Sequence, residues 1–162
     1  MIKMYKGVIG LMLLSVLVLS GCATSGSGSG FFAHPYQAIA VKLGVDLDNL
    51  VHHNNGMSWV VRQKGSGEVP KPGQRIKVHY TGYLLDGKKF DSSVDRGQPF
   101  ETVIGRGNVI KGWDVAFTGM PVGEKRVLFI PPEMGYGARG FANKIPPNSI
   151  LVFDVELLEI IR

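Results

Sequence analysis

The side chains that could do chemistry are few, and their arrangement excludes most of it. No nucleophile stands beside a base in the patterns that activate serine, cysteine or lysine. Gly105-Arg106-Gly107 is too short to cradle a phosphate. His52 and His53 are adjacent, so a helix would splay them, and no cysteine or third histidine lies nearby to complete a metal site. No metal or cofactor is therefore expected. What remains is a set of aromatics, Tyr80, Phe90, Phe100, Trp113, Tyr136 and Phe153, with one carboxylate, Asp91, directly after Phe90. Such a set is either ordinary core or the wall of an apolar pocket with one charged group.

The element that must position Trp113 is a short helix. Val109, Trp113 and Phe117 recur at i, i+4 and i+8, and Ile110 stands three residues before Trp113, which makes one apolar face. Gly105 and Gly107 precede this stretch; Gly119 and Pro121 follow it. A helix this short is marginal alone and needs a sheet to lie on.

Strands are legible on both sides. Trp59-Val60-Val61 is a short β-rich run. Arg75–Tyr80 alternates, placing Ile76, Val78 and Tyr80 on the inner face and His79 on the polar one. Asp86-Gly87 signals a hairpin. Lys125–Ile130 is a strand stopped by Pro131-Pro132, and residues 150–160 form a long final strand with Leu151, Phe153, Val155 and Leu157 on one face. Between these two strands, the Gly/Pro-rich stretch 135–149 is a long loop of the kind that carries function. The predicted class is α+β, an antiparallel sheet with one short helix packed across it.

The N-terminal third reads differently. In residues 1–21, Lys3 and Lys6 precede an apolar run from Gly7 to Leu19, shorter than a membrane span and suited to an export signal. Leu19-Ser20-Gly21-Cys22 resembles the bacterial lipobox, in which the cysteine is diacylated and becomes the new N-terminus. Ala23, in place of an aspartate, favours the outer membrane. Residues 24–30, Thr-Ser-Gly-Ser-Gly-Ser-Gly, form a flexible tether. In 31–56, Pro35 opens a helix through Leu43, interrupted by Gly44. Asp46 caps a second short helix carrying Leu47, Leu50 and Val51, and Asn54-Asn55-Gly56 makes a turn. This segment reads as a helical spacer or a small partner-binding face.

Composition sets the outer limits. The 162 residues suffice for one compact domain with extra sequence, and 44% hydrophobic against 19% charged residues supports a packed core. The formal charge of +5 falls to +3 once Lys3 and Lys6 leave with the signal, too mild and scattered for nucleic-acid binding. Cys22 is the only cysteine, so no intrachain disulfide forms.

Several motifs carry a family resemblance together. They are Val78-His79-Tyr80-Thr81-Gly82, Asp86-Gly87-Lys88-Lys89-Phe90-Asp91-Ser92-Ser93, Val109-Ile110-Lys111-Gly112-Trp113, Tyr136-Gly137, Ile145-Pro146-Pro147 and the run Leu151–Leu158. In this order, from about Met57 to Ile160, the chain resembles the FKBP-type peptidyl-prolyl cis-trans isomerases. The similarity is greatest to the bacterial macrophage-infectivity-potentiator-like branch. Residues 23–56 lie outside it and are too short for the long helical dimerisation arm of that branch.

The resemblance implies an antiparallel twisted sheet wrapped around one short helix at 57–162, with 31–56 as a helical extension. It implies an isomerase pocket floored by Trp113 and walled by Tyr80, Phe90, Phe100, Val109, Ile110, Tyr136, Ile145 and Phe153. Asp91 becomes a buried carboxylate partnered by Arg96 and Tyr80. The Ile110 backbone N–H and the Tyr136 hydroxyl become donors to ligand carbonyls. Phe141 stands where some members carry a histidine, which implies a changed substrate preference. The implied partners are X-Pro segments of unfolded or exported proteins and the macrolides tacrolimus and rapamycin. With a lipid on Cys22, the enzyme would sit in the bacterial cell envelope, at the outer membrane facing the periplasm or the cell surface. The alternative is a non-catalytic proline-binding or chaperone module using the same pocket.

Overall fold

The computed structural model describes residues 34–162; the expected export signal, Cys22 and the tether lie outside the described residues. Seven strands make one sheet: β1 (Val51–His52), β2 (Ser58–Gln63), β3 (Arg75–Leu84), β4 (Lys89–Ser92), β5 (Phe100–Val103), β6 (Lys125–Ile130) and β7 (Leu151–Ile161). Two helices accompany them, α1 (Gln37–Leu43) and α2 (Lys111–Phe117). The strand order is β1-β2-β6-β7-β3-β4, and β5 pairs with β3 as well. All pairings between these strands are antiparallel. The architecture is the predicted α+β class.

Two strands share one edge. β5 pairs with the first half of β3 (Arg75–Val78), and β4 pairs with the second half (Thr81–Tyr83). The chain between β4 and β5, which carries Asp95 and Arg96, therefore leaves the sheet and returns to it.

The inner face follows the alternation. Ile76, Val78, Tyr80 and Leu84 of β3 point inward, as do Leu128 and Ile130 of β6 and Leu151, Phe153, Val155 and Leu157 of β7. They pack on Trp113, Ala116 and Phe117 of α2. Arg126 also points inward, at the end of this layer.

The helix starts later than its apolar spacing suggested. Ile110 is extended (φ −59°, ψ 147°) and α2 begins at Lys111, so Val109 and Ile110 precede the helix instead of lying on its face. The reason is the loop before it. The Asp114 carboxylate accepts from the Gly105 and Gly107 N–H groups at 2.7 and 3.0 Å and holds that loop away from a helical path.

The segment 34–56 is docked on the domain, not set apart from it as a spacer. Val127 and Phe129 of β6 and Val152 of β7 face away from α2, yet all are buried. α1 covers them with Ile39, and Tyr36 stacks on Phe129 at 4.3 Å between ring centroids, 12° from parallel. β6 is thus covered on both faces, which is why its apolar run does not alternate. Asp46 caps a turn as expected, accepting from the Asp48 N–H at 3.0 Å, but the turn is a single 3-10 turn, Leu47–Asn49. Val51 leaves it to pair with Trp59 in β1. His52 and His53 diverge: one reaches the Ser58 hydroxyl at 2.9 Å, the other tilts over Trp59. Among the described residues no group of three or more His, Cys, Asp or Glu is placed to hold a metal ion.

Candidate active site

Between α2 and the inner face lies a cavity of about 180 Å³. At ~30 Å³ per water it has room for about six, enough for one small ring. Trp113 floors it, 5% exposed. Tyr80, Phe90, Phe100 and Phe153 stand around the floor, with Val109, Ile110 and Tyr136 completing the walls. Four rings meet the indole edge to face: Tyr80 at 5.0 Å, Phe117 at 5.2 Å, Phe153 at 5.4 Å and Phe100 at 6.0 Å, at angles of 72–78°. The indole Nε1–H is buried without a hydrogen-bond partner. Apart from that N–H the floor presents aromatic carbon.

Backbone geometry lets these rings approach. Gly82 lies opposite Asp91 on one side and Phe153 on the other. A Cβ on Gly82 would come within 2.6 Å of the Phe90 ring and 2.9 Å of Phe153. Only glycine leaves room for the two rings, which themselves meet edge to face at 5.5 Å.

Asp91 sits at the rim. The Tyr80 hydroxyl donates to one carboxylate oxygen, and Arg96 Nη1 and the Ser92 N–H (2.9 Å) donate to the other. Arg96 Nη2 donates to the Tyr80 hydroxyl at 3.1 Å, closing a triangle. The expectation of a buried carboxylate is corrected here. The Asp91 side chain is 41% exposed and Arg96 48%, because the strand pair at this edge has solvent on one side. Partial desolvation pushes the Asp91 carboxyl up, but its bonds to Tyr80, Arg96 and Ser92 outweigh this and hold it below the ordinary carboxylate value. Asp91 is therefore ionised at neutral pH. Desolvation, then the nearby Asp91 charge, raises the Tyr136 hydroxyl, which stays a neutral donor.

Three residues expected at the pocket lie one step from it. Arg96 braces Asp91 and Tyr80 without lining the cavity. Ile145 is buried, but its backbone pairs with Phe141 through bonds of 2.9 and 3.0 Å, so it supports the loop more than the wall. Phe141 is 53% exposed and stacks on the outer side of the Tyr136 ring at 4.8 Å and 23°. Asn108 lines the cavity and was not foreseen. Its signal in the sequence is slight: one polar residue between Gly107 and the apolar pair Val109-Ile110. Two larger depressions, about 400 and 430 Å³, are lined mainly by polar and charged side chains such as Arg62, Lys125 and Glu156 or Arg96, Gln98 and Glu101. They lack the aromatic enclosure.

The sequence and the fold are both similar to those of known proteins. Residues 66–158 match the sequence profile of the FKBP-type peptidyl-prolyl cis-trans isomerases. A peptidyl-prolyl cis-trans isomerase of Schizosaccharomyces pombe is 58% identical over 106 residues, covering 65% of this chain and 95% of that protein. An FK506-binding protein of Neisseria meningitidis serogroup A is 56% identical over 98 residues, covering 60% of this chain and 90% of that one. Among solved structures, AtFKBP13 superposes with a TM-score of 0.67 at 41% identity, covering 69% of this chain and 98% of its own. FkpA from Escherichia coli gives 0.67 at 38% identity, covering 77% and 57%.

Proposed function

The chain belongs to the FKBP-type peptidyl-prolyl cis-trans isomerases, and on that basis we propose that its aromatic cavity twists X-Pro amides of exported proteins while a lipid on Cys22 holds it at a bacterial membrane. The observation that carries the first part is the aromatic-lined cavity over Trp113, with the ionised Asp91 held at its rim by Tyr80 and Arg96.

The reaction breaks no bond. An amide rotates over a barrier of ~18–20 kcal/mol that is mostly resonance. Resonance makes the planar carbonyl oxygen partly negative and well hydrated; in the twisted state that oxygen is less polar. A water-excluding pocket disfavours the planar amide more than the twisted one, which is differential binding of the transition state. Each ~1.4 kcal/mol of that difference is tenfold in rate. In this reading the rings around Trp113 take the proline ring, and the Ile110 N–H and Tyr136 hydroxyl donate to the flanking carbonyls. Asp91 orients Tyr80 and moves no proton. The FK506-binding names of relatives support binding of tacrolimus (FK506) at the same cavity, and the family resemblance adds rapamycin.

The test is exchange spectroscopy on an Ala-Leu-Pro-Phe peptide. The chain from Ala23 onward should accelerate cis-trans exchange, Trp113→Ala and Tyr136→Phe should weaken it, and rapamycin should block it. A folded parent without acceleration would leave a proline-binding module instead of an enzyme.

Asp91→Leu is expected to lower turnover with the fold intact. Parental turnover would remove Asp91 from the mechanism. The same variant has an acid signature. A carboxyl whose folded pKa is depressed contributes stability above its unfolded pKa and loses it as pH falls through the folded value. The parent should therefore lose a small increment of stability below about pH 4 that Asp91→Leu never had.

The tether reading rests on the Leu19-Ser20-Gly21-Cys22 motif and the Gly/Ser stretch after it. An exported chain still faces slow X-Pro steps of tens to hundreds of seconds, which gives an isomerase work at the envelope. The macrophage-infectivity-potentiator-like branch and the outer membrane are the assignments we favour. Palmitate labelling in a bacterial host should mark the parent and not Cys22→Ala; an unlabelled parent found in the soluble fraction would end this part of the proposal.

A further inference from the structure

α1 lies outside the residues matched by the family profile, yet it grips the turn that leads into the pocket wall. Lys42, in its last turn, donates from Nζ to the Gly87 carbonyl and stands 5.5 Å from the centre of the Tyr83 ring. Gly87, at φ +83°, occupies the β3–β4 turn, which is closed by bonds of 2.9 Å between Gly87 N–H and Leu84 O and between Leu84 N–H and Lys88 O. The contact is close: a Cβ on Gly87 would lie 3.0 Å from Lys42 Cδ and 3.7 Å from Ile39 Cδ1.

The strand that leaves this turn carries Phe90 and Asp91. β4 is the last strand of the sheet and pairs with β3 alone, through Thr81–Ser92, Gly82–Asp91 and Tyr83–Lys89, with an irregularity between Gly82 and Tyr83. A four-residue strand with one neighbour and a broken register sits at the low end of local stability. The turn at its head is the point where a clamp has most leverage over it.

We propose that Lys42 is a positioning residue for the isomerase. By anchoring the Gly87 carbonyl it fixes β4, and through β4 it sets Phe90 and Asp91 against the floor at Trp113. It touches no substrate: its ammonium lies with α1 on the face of the sheet opposite the cavity, and it acts along the backbone of one edge strand.

The experiment compares the full chain with Lys42→Met, which keeps the aliphatic stem, and Lys42→Arg, which keeps a donor. Three quantities are read: kcat/KM for the proline peptide, the urea midpoint, and amide hydrogen exchange along each strand. Lys42→Met should lower kcat/KM about fivefold and speed exchange of the β4 amides by a similar factor. Exchange in β6 and β7 should stay at the parental rate, and Lys42→Arg should restore both readouts. Parental turnover in Lys42→Met would overturn the proposal. So would a uniform rise of exchange through β6 and β7, or loss of the fold, since either means that the lysine only stabilises the molecule.

Discussion

Arg126→Met is expected to lower the unfolding free energy by about 3–5 kcal/mol. Glu124 and Arg126 form an ion pair within the folded interior, 6% and 7% exposed. The guanidinium also donates to the Ala116 and Gly119 carbonyls at 3.3 and 2.7 Å, at the end of α2, and lies 5.3 Å from the centre of the Trp59 ring. Methionine fills most of the volume but leaves the Glu124 charge unpaired and the helix-end carbonyls without their donor. Against a total stability of about 5–15 kcal/mol, the loss is a large fraction. The diagnostic is the double variant. Glu124→Leu with Arg126→Met removes both charges and should regain much of the stability, because the main penalty is the stranded charge and not the missing contact. Urea unfolding measures both. A single variant at the parental midpoint would show that the pair is not buried in solution.

Gly82→Ala should damage activity more than stability. The new methyl has to displace Phe90 or Phe153, whose rings would otherwise lie within 2.6 and 2.9 Å of it. Overpacking of this kind costs about 1–3 kcal/mol. Both rings line the cavity, however, so the displacement falls on the reacting geometry, where a shift of about 1 Å is worth up to ~100-fold. We expect a 10- to 100-fold fall in kcat/KM with a folded protein. Turnover at the parental level would mean that the walls have slack and that their fit to the proline ring contributes little.

How far the fold could be read from the sequence depended on whether one element alone produced the signal. The β3 alternation from Ile76 to Tyr80, the Asp86-Gly87 turn and the periodicity around Trp113 are local patterns, and each marks a real element. β1 is two residues long and exists only because β2 is beside it, so no local pattern announces it. The docking of α1 leaves a trace in the sequence of β6. Val127-Leu128-Phe129-Ile130 is apolar on both parities, and a strand covered on one face has no use for that. The cavity was legible as a set of residue types, and the family motifs supplied its grouping. The Asp91 exposure was not legible, because it depends on β4 being an edge with solvent beside it. Nor was the Glu124–Arg126 pair, whose meaning comes from Arg126 sharing the inward parity of Leu128.

The place of β7 has a consequence for synthesis. It lies between β6 and β3, pairing along the whole of each, yet it is the last of the described strands to leave the ribosome. Until it arrives, β3 and β6 have no common neighbour and the inner face cannot close over α2. The pairing of Arg75 with Ile161 joins residues at opposite ends of the β3-to-β7 stretch, a long loop closure of the kind that slows folding. A nascent chain of this design cannot finish its core until β7 has emerged, and until then the inner faces of β3 and β6 stay open.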